Sequence, residues 1–203
     1  TALINETTHY FHRNMPGSQI SVCVAWQSYL VDGRQYDYYH LAESSDLLYI
    51  MDYDTNSQNY QHQCLASANA PYQGTERGIT SYLNLGIAAS KLILGVPWYG
   101  YNYSCDMTQM ESITSKYCPI PLDTFRGVNC SDAAGNERIF GIIYNIIDEK
   151  MNVTEIRWDT SMRAPYFNYM DKSVNADQVY QVWFDDENSL RLKYEYAQSM
   201  GIR

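Results

Sequence analysis

Three segments of this chain are apolar almost without interruption and then change character: "QISVCVAWQ" (19–27), "DLLYIMDYD" (46–54) and "KLILGVPWYGYNY" (91–103). A strand with one wet face alternates polar and apolar residues. A continuous apolar run is what a strand covered on both faces requires, and parallel sheets are covered in that way. The stretches 28–45 and 55–90 that separate the runs are too long for hairpins and long enough for helical crossovers. The runs end on Trp26, on Asp52, Tyr53 and Asp54, and on Trp98, Tyr99 and Tyr101. In an α/β barrel the C-terminal strand ends form the face that carries chemistry, so these side chains are candidates for function. The plainer alternative is that Tyr53 and Asp54 only finish a strand, since polar strand ends are common.

Other elements follow from periodicity. Leu3, Ile4, Thr7, Tyr10 and Phe11 share a helical face over residues 2–14, closed by Pro16 and Gly17. A second helical pattern covers roughly 76–88. Ile139, Ile142, Ile143, Ile146 and Ile147 predict a strongly amphipathic helix. Segments 155–159, 164–170 and 178–184 read as antiparallel strands, and 185–201 as a helix with an acidic first turn that suits its dipole. The expected organisation is an α/β body over 1–103, an α+β insertion over 104–182, and a return to the body over 183–203.

A hydrophobic content of 45% with 18% charged residues is enough for a packed core. The net charge of −9 argues against nucleic acid, because binding phosphates wants a basic face. No apolar run approaches the length of a membrane span, so none is expected. Twenty Tyr and four Trp fill half-buried positions, offer flat faces to sugars, or do both.

Cys23, Cys64, Cys105, Cys118 and Cys130 show no C-x-x-C spacing. N-glycosylation sequons occur at Asn5, Asn102, Asn129 and Asn152; with the scattered cysteines they tilt the reading towards the secretory pathway and disulfides. Cys105, with Cys118 or Cys130, is the favoured bridge, because all three fall in the insertion. Cys23 is expected to stay a free thiol. The histidines His9, His12, His40 and His62 do not form a pattern of three or four ligands, so no metal site is expected.

The stretches "ETTHYFHRNMPGSQISVCVAW", "YIMDYDTNSQ", "CLASANAPYQGT", "KLILGVPWYGYNYSC", "FRGVNCSDAAG", "RAPYFNY" and "QVWFDDENSLRLKY" together resemble glycoside hydrolase family 18. The M-x-Y-D of Met51–Asp54 is similar to the family at large; "GVPWYGY", "CSDAAG" and "RAPYFNY" are closer to its chitobiase branch. The resemblance implies an α/β fold of the (β/α)8 (TIM) barrel type, present in part: strands five to seven with an α+β insertion. By family order the catalytic motif D-x-x-D-x-D-x-E would precede Thr1 and the eighth strand would follow Gly201. The expected partners are therefore N-terminal and C-terminal barrel segments of the same protein. Asp52 and Asp54 mimic the spacing of that motif's end, but Asn56 stands where its Glu would be.

The resemblance further implies substrate-assisted hydrolysis of the GlcNAc-β-1,4-GlcNAc core of N-glycan remnants or of chitooligosaccharides, with no cofactor. The alternative is a non-catalytic lectin-like relative that binds the same GlcNAc-containing oligosaccharide. Carried over through M-x-Y-D, Tyr53 would donate to the substrate's acetamido carbonyl, Asp54 would hold a sugar hydroxyl or orient its neighbours, and Met51 would pack under the sugar. Trp98 and Tyr99 would offer stacking area and Asn69 would lie near the cleft, while Arg163 would either reach the cleft or pair within the insertion. The setting implied is lysosomal, or alternatively secreted.

Overall fold

Each of the three apolar runs contributes a parallel strand. The computed structural model describes residues 1–55, 64–149, 153–171 and 178–203. In it β1 (Ser21–Val24), β2 (Leu47–Met51) and β3 (Leu92–Gly95) pair in parallel in that order. The register sets Val22 beside Leu48, and Leu48 beside Leu92. The helices α1 (Ala2–Asn14), α2 (Tyr38–Ser44) and α3 (Tyr72–Leu83) accompany these strands. Val24, Leu48, Ile50, Leu92 and Leu94 are buried with Tyr38, Ala42, Ile79 and Tyr82 in one cluster. Each such aliphatic side chain contributes about 1.5–3 kcal/mol by leaving water. Tyr82 satisfies its buried hydroxyl by donating to the Ala25 carbonyl at 2.7 Å. A β-carbon at Gly78 would stand 2.1 Å from the Trp26 carbonyl oxygen, so α3 approaches the chain after β1 only because residue 78 has no side chain.

The other edge of β3 is occupied by Arg203: its N–H donates to the Leu92 carbonyl at 3.1 Å, and the Leu94 N–H donates to its carbonyl at 2.9 Å. This alternation is that of a parallel ladder.

The third apolar run is not one strand, contrary to the reading of 91–103. β3 stops at Gly95, and β4 (Tyr99–Ser104) belongs to a different, antiparallel sheet. Pro97 lies at the break and has no N–H to give a ladder. The second sheet has the order β5-β4-β8-β7-β6, with β5 (Gly135–Ile139), β6 (Arg157–Asp159), β7 (Ala164–Met170) and β8 (Val179–Trp183). The chain divides into two compact units, one of residues 1–53, 73–96 and 191–203, the other of 54–72 and 97–190.

The isoleucine helix is shorter than its pattern. α4 spans Phe140–Glu149, while Ile139 ends β5 and is exposed. Ile143 alone is fully buried, against Phe167, Val182 and Phe184 on one face of the second sheet. The opposite face carries Tyr101, Tyr103, Tyr166 and Trp183, covered by loop residues that include Ala66, Met110 and Ile120. A polar chain runs beneath those loops. Trp183 donates to Gln181, Gln181 to Asn168, and Asn168 to the carbonyls of Ile113 and Ser115 at 2.6 and 2.7 Å. Buried amides are stabilising only when satisfied in this way.

Two disulfides fasten these loops, Cys64–Cys130 and Cys105–Cys118. The sequence reading left Cys64 out of its favoured set. Cys23 is a free, exposed cysteine. α5 (Glu187–Ser199) begins where Asp186 and Ser189 exchange hydrogen bonds, the Ser189 N–H donating to the Asp186 carboxylate at 2.9 Å. On α1, Thr8 is the buried residue, whereas Leu3 and Tyr10 of the expected apolar face are exposed.

Candidate functional site

The end of β2 is where the sequence placed most of its chemistry. Met51 is half-buried and pairs with Gly95. Asp52 points inward: it is 1% exposed and accepts the Thr75 hydroxyl of α3 at 2.5 Å. Its burial agrees with a side chain turned to the helix side of the sheet, and it ties α3 to β2. Tyr53 is half-buried, with its N–H donating to the Met51 carbonyl at 2.9 Å.

In the second unit, the structure brings Asp54, Asn69 and Tyr99 together, and adds Tyr101. Asp54 has φ 55°, in the left-handed region, which Asp tolerates better than most side-chain-bearing residues at a cost of roughly 1 kcal/mol or more. Its Oδ1 accepts two phenols, from Tyr99 at 2.6 Å and from Tyr101 at 3.2 Å. Its N–H donates to Oδ1 of Asn69 at 2.7 Å. Tyr99 and Tyr101 can share one oxygen because i and i+2 of a strand point to one face; their rings meet edge to face with centroids 6.1 Å apart.

Burial pushes the Tyr99 hydroxyl well above the ordinary tyrosine range, and the hydrogen bond to the Asp54 carboxylate pushes the same way. Tyr101 is raised too, first by burial and then by the charges of Asp132 and Asp54. Both phenols are therefore fixed as donors at any physiological pH. Their role is to hold a carboxylate, not to lose a proton. The sequence reading placed Tyr101 at the end of the third run but assigned it no role; the alternation in "YGYNY" is the signal that pairs it with Tyr99.

The other expected residues have surroundings of their own. Trp98 is 72% exposed. Arg163 lies with its guanidinium 4.1 Å from the centre of the Tyr72 ring, a cation–π contact that sequence reasoning did not consider. Asn69 is 2% exposed, engaged with Asp54 rather than presented to a ligand. Asn5 and Asn129 are exposed, Asn102 is buried in β4 and donates to the Tyr169 hydroxyl at 3.0 Å, and Asn152 lies outside the described residues. Among the described residues, no group of three or more His, Cys, Asp or Glu could hold a metal ion, and no helix is long and apolar enough to cross a membrane.

Comparison with known proteins places these features in context. The profile described as Glycosyl hydrolases family 18 matches residues 1–203. The chain is 40% identical over 205 residues to the di-N-acetylchitobiase of Mus musculus, covering all of this chain and 53% of that protein. It is 39% identical to a probable di-N-acetylchitobiase of Dictyostelium discoideum, again with 53% of the relative covered. The chain thus spans about half the length of the curated relatives it matches. Among solved structures, a family 18 chitinase of Cycas revoluta in complex with (GlcNAc)3 shares its fold with a TM-score of 0.71 at 20% identity, over 99% of this chain and 54% of the chitinase.

Proposed function

The chain belongs to glycosyl hydrolases family 18, and from that premise we propose that it is the part of a glycosidase that grips the GlcNAc unit whose linkage is cut. The observation that carries this reading is Asp54, directly after Tyr53 in the chain and held by the hydroxyls of Tyr99 and Tyr101. A carboxylate fixed by two donors before substrate arrives is preorganised, and preorganised polar groups are what lower a barrier.

The reaction proposed is substrate-assisted. The acetamido oxygen of the substrate bonds to its own anomeric carbon as the glycosidic C–O bond breaks. A glutamic acid supplied by the rest of the protein gives its proton to the leaving oxygen. Tyr53 donates to the acetamido group as it attacks, and Asp54 accepts from a hydroxyl of the same sugar. Met51 packs beneath that sugar, and Trp98 and Tyr99 provide ring surface beside it. The substrate is the GlcNAc-β-1,4-GlcNAc unit of N-glycan remnants or short chitooligosaccharides; support comes from relatives that bear the name di-N-acetylchitobiase.

The same membership favours a partial (β/α)8 barrel, with strands five to seven here and an insertion over 104–182. The parallel order β1-β2-β3 and the two hydrogen bonds of Arg203 to β3 support it. The two disulfides suit an oxidising compartment, which we read as the route to the lysosome or to secretion.

The test uses the full-length protein with (GlcNAc)2 and (GlcNAc)6. Release of GlcNAc with similar kcat/KM on both is the expected result. A rate that climbs with each added sugar would mean an extended groove. Binding without cleavage would mean a lectin, and absence of both would end the carbohydrate reading.

A further inference from the structure

Asp54 sits at φ 55°, and a side-chain-bearing residue stays in that region only where its surroundings hold it there. One residue supplies much of the hold. Oδ1 of Asn69 accepts the Asp54 N–H at 2.7 Å. The main-chain carbonyl of Asn69 accepts the Thr55 N–H at 3.2 Å and the Thr55 hydroxyl at 3.0 Å. Its Nδ2 lies 3.5 Å from the Tyr99 carbonyl oxygen, so the same side chain spans from the turn at Asp54 to the first residue of β4.

The chain neighbours of residue 69 are apolar. Ala68 and Ala70 are buried on either side, and Asn69 itself is 2% exposed. A polar side chain in such a place is stabilising only through the bonds it makes, and the shortest of these goes to Asp54. An apolar side chain of the same size would leave the Asp54 N–H without its acceptor. An aspartate would keep an acceptor but bring a second carboxylate close to the first.

We propose that Asn69 is a positioning residue for Asp54: by latching the left-handed turn it aims the carboxylate at the Tyr99 and Tyr101 hydroxyls and at the sugar hydroxyl from which it accepts. This deepens the glycosidase reading and rests on it. Asn69 thereby changes place, from a residue expected near the cleft to one that acts on ligand only through its neighbour.

The experiment is a double-mutant cycle on the full-length protein, with Asn69→Leu, Asp54→Gly and both together. Glycine takes a positive φ without strain and removes the carboxylate, so it deletes what the latch is for. Hydrolysis of (GlcNAc)2, the Kd for (GlcNAc)3 and the melting temperature are measured for each. Asn69→Leu should lower kcat/KM about 10- to 100-fold in the wild-type background and less than about 3-fold in the Asp54→Gly background, the non-additivity expected of two residues acting as a unit. Should Asn69→Leu fail to fold, a folded Asp54→Gly/Asn69→Leu double variant supports the latch, and an unfolded one overturns it. An equal loss in both backgrounds makes Asn69 a packing residue only, with the glycosidase reading intact. A wild-type protein that neither cleaves nor binds these sugars removes that reading and this inference together.

Discussion

The hydroxyl of Tyr99 donates to Oδ1 of Asp54 at 2.6 Å, and Tyr101, two residues along the same strand face, reaches the same oxygen at 3.2 Å. Because the carboxylate keeps one donor when the other is removed, Tyr99→Phe should lower kcat/KM by about 10- to 100-fold, the loss of one hydrogen bond to a charged group, about 1.5–3 kcal/mol. Tyr99→Phe/Tyr101→Phe should lose more than the product of the single effects. Steady-state kinetics on (GlcNAc)2 decide this, and strictly multiplicative losses would mean that the two phenols act independently.

Tyr53→Phe removes one hydroxyl at the end of β2. If that hydroxyl donates to the acetamido oxygen more strongly in the transition state than before it, kcat should fall about 10- to 1000-fold with KM little changed, on the order of 1.5–4 kcal/mol. An unchanged kcat would take Tyr53 out of the mechanism.

How much of this was legible in the sequence depends on what each residue answers to. The parallel strands were readable because burial on both faces writes itself as unbroken apolar runs, as in Leu47–Met51. The break at Pro97 was not, because Val96 and the aromatics after it continue the apolar run while the partner strand changes from β2 to β8. The helix start at Phe140 was blurred by Ile139, which fits the helical period yet pairs with Tyr99 across β4 and β5. Asp54 was readable from M-x-Y-D. Asn69 as its latch was not, since a hydrogen bond between residues 15 apart leaves no periodic trace.

The two disulfides close loops of different length, with sequence separations of 66 for Cys64–Cys130 and 13 for Cys105–Cys118. Chain entropy then assigns about 4 kcal/mol to the first and about 3 kcal/mol to the second. Paired serine substitutions should lower the melting temperature more for Cys64 and Cys130 than for Cys105 and Cys118. Calorimetry showing the reverse order would place the stabilisation in native packing and not in the unfolded chain.

Asp159 gives a pH dependence with a definite sign. Burial alone would raise its pKa, but Lys116, the Ser161 hydroxyl and the Met162 N–H together hold the carboxyl below the usual carboxylate range. A group with a depressed folded pKa contributes stability above its unfolded value, near 3.9, and loses it as pH falls through the folded value. Denaturant midpoints should be insensitive to this group above about pH 5 and fall below about pH 4. Asp159→Ala should cost about 1–3 kcal/mol at neutral pH and show a shallower acid limb. An acid limb as steep as the wild type's would assign the effect to other carboxylates.

The sequons separate by burial. Asn129 and Asn5 are exposed, whereas Asn102 is 4% exposed and its amide donates to Tyr169. Glycopeptide mass spectrometry of the full-length protein from a eukaryotic host should find glycan on Asn129 and Asn5 and none on Asn102. Asn102→Gln should destabilise the fold by about 1–3 kcal/mol, and a glycan found on Asn102 of the folded protein would contradict its placement.

The division of the chain into units has a practical consequence. Residues 54–72 group with 97–190, while 73–96 and 191–203 group with the start of the chain, so the polypeptide passes from one unit to the other at four places. No single protease cut can release either unit, and no single pair of cloning boundaries can isolate one. Cutting out the contiguous stretch 97–190 would strip away Tyr99 and Tyr101, leave Asp54 and Asn69 behind, and strand Cys64 without Cys130. Any contiguous stretch that carries Asp54 together with Tyr99 and Tyr101 also carries residues 73–96 of the first unit.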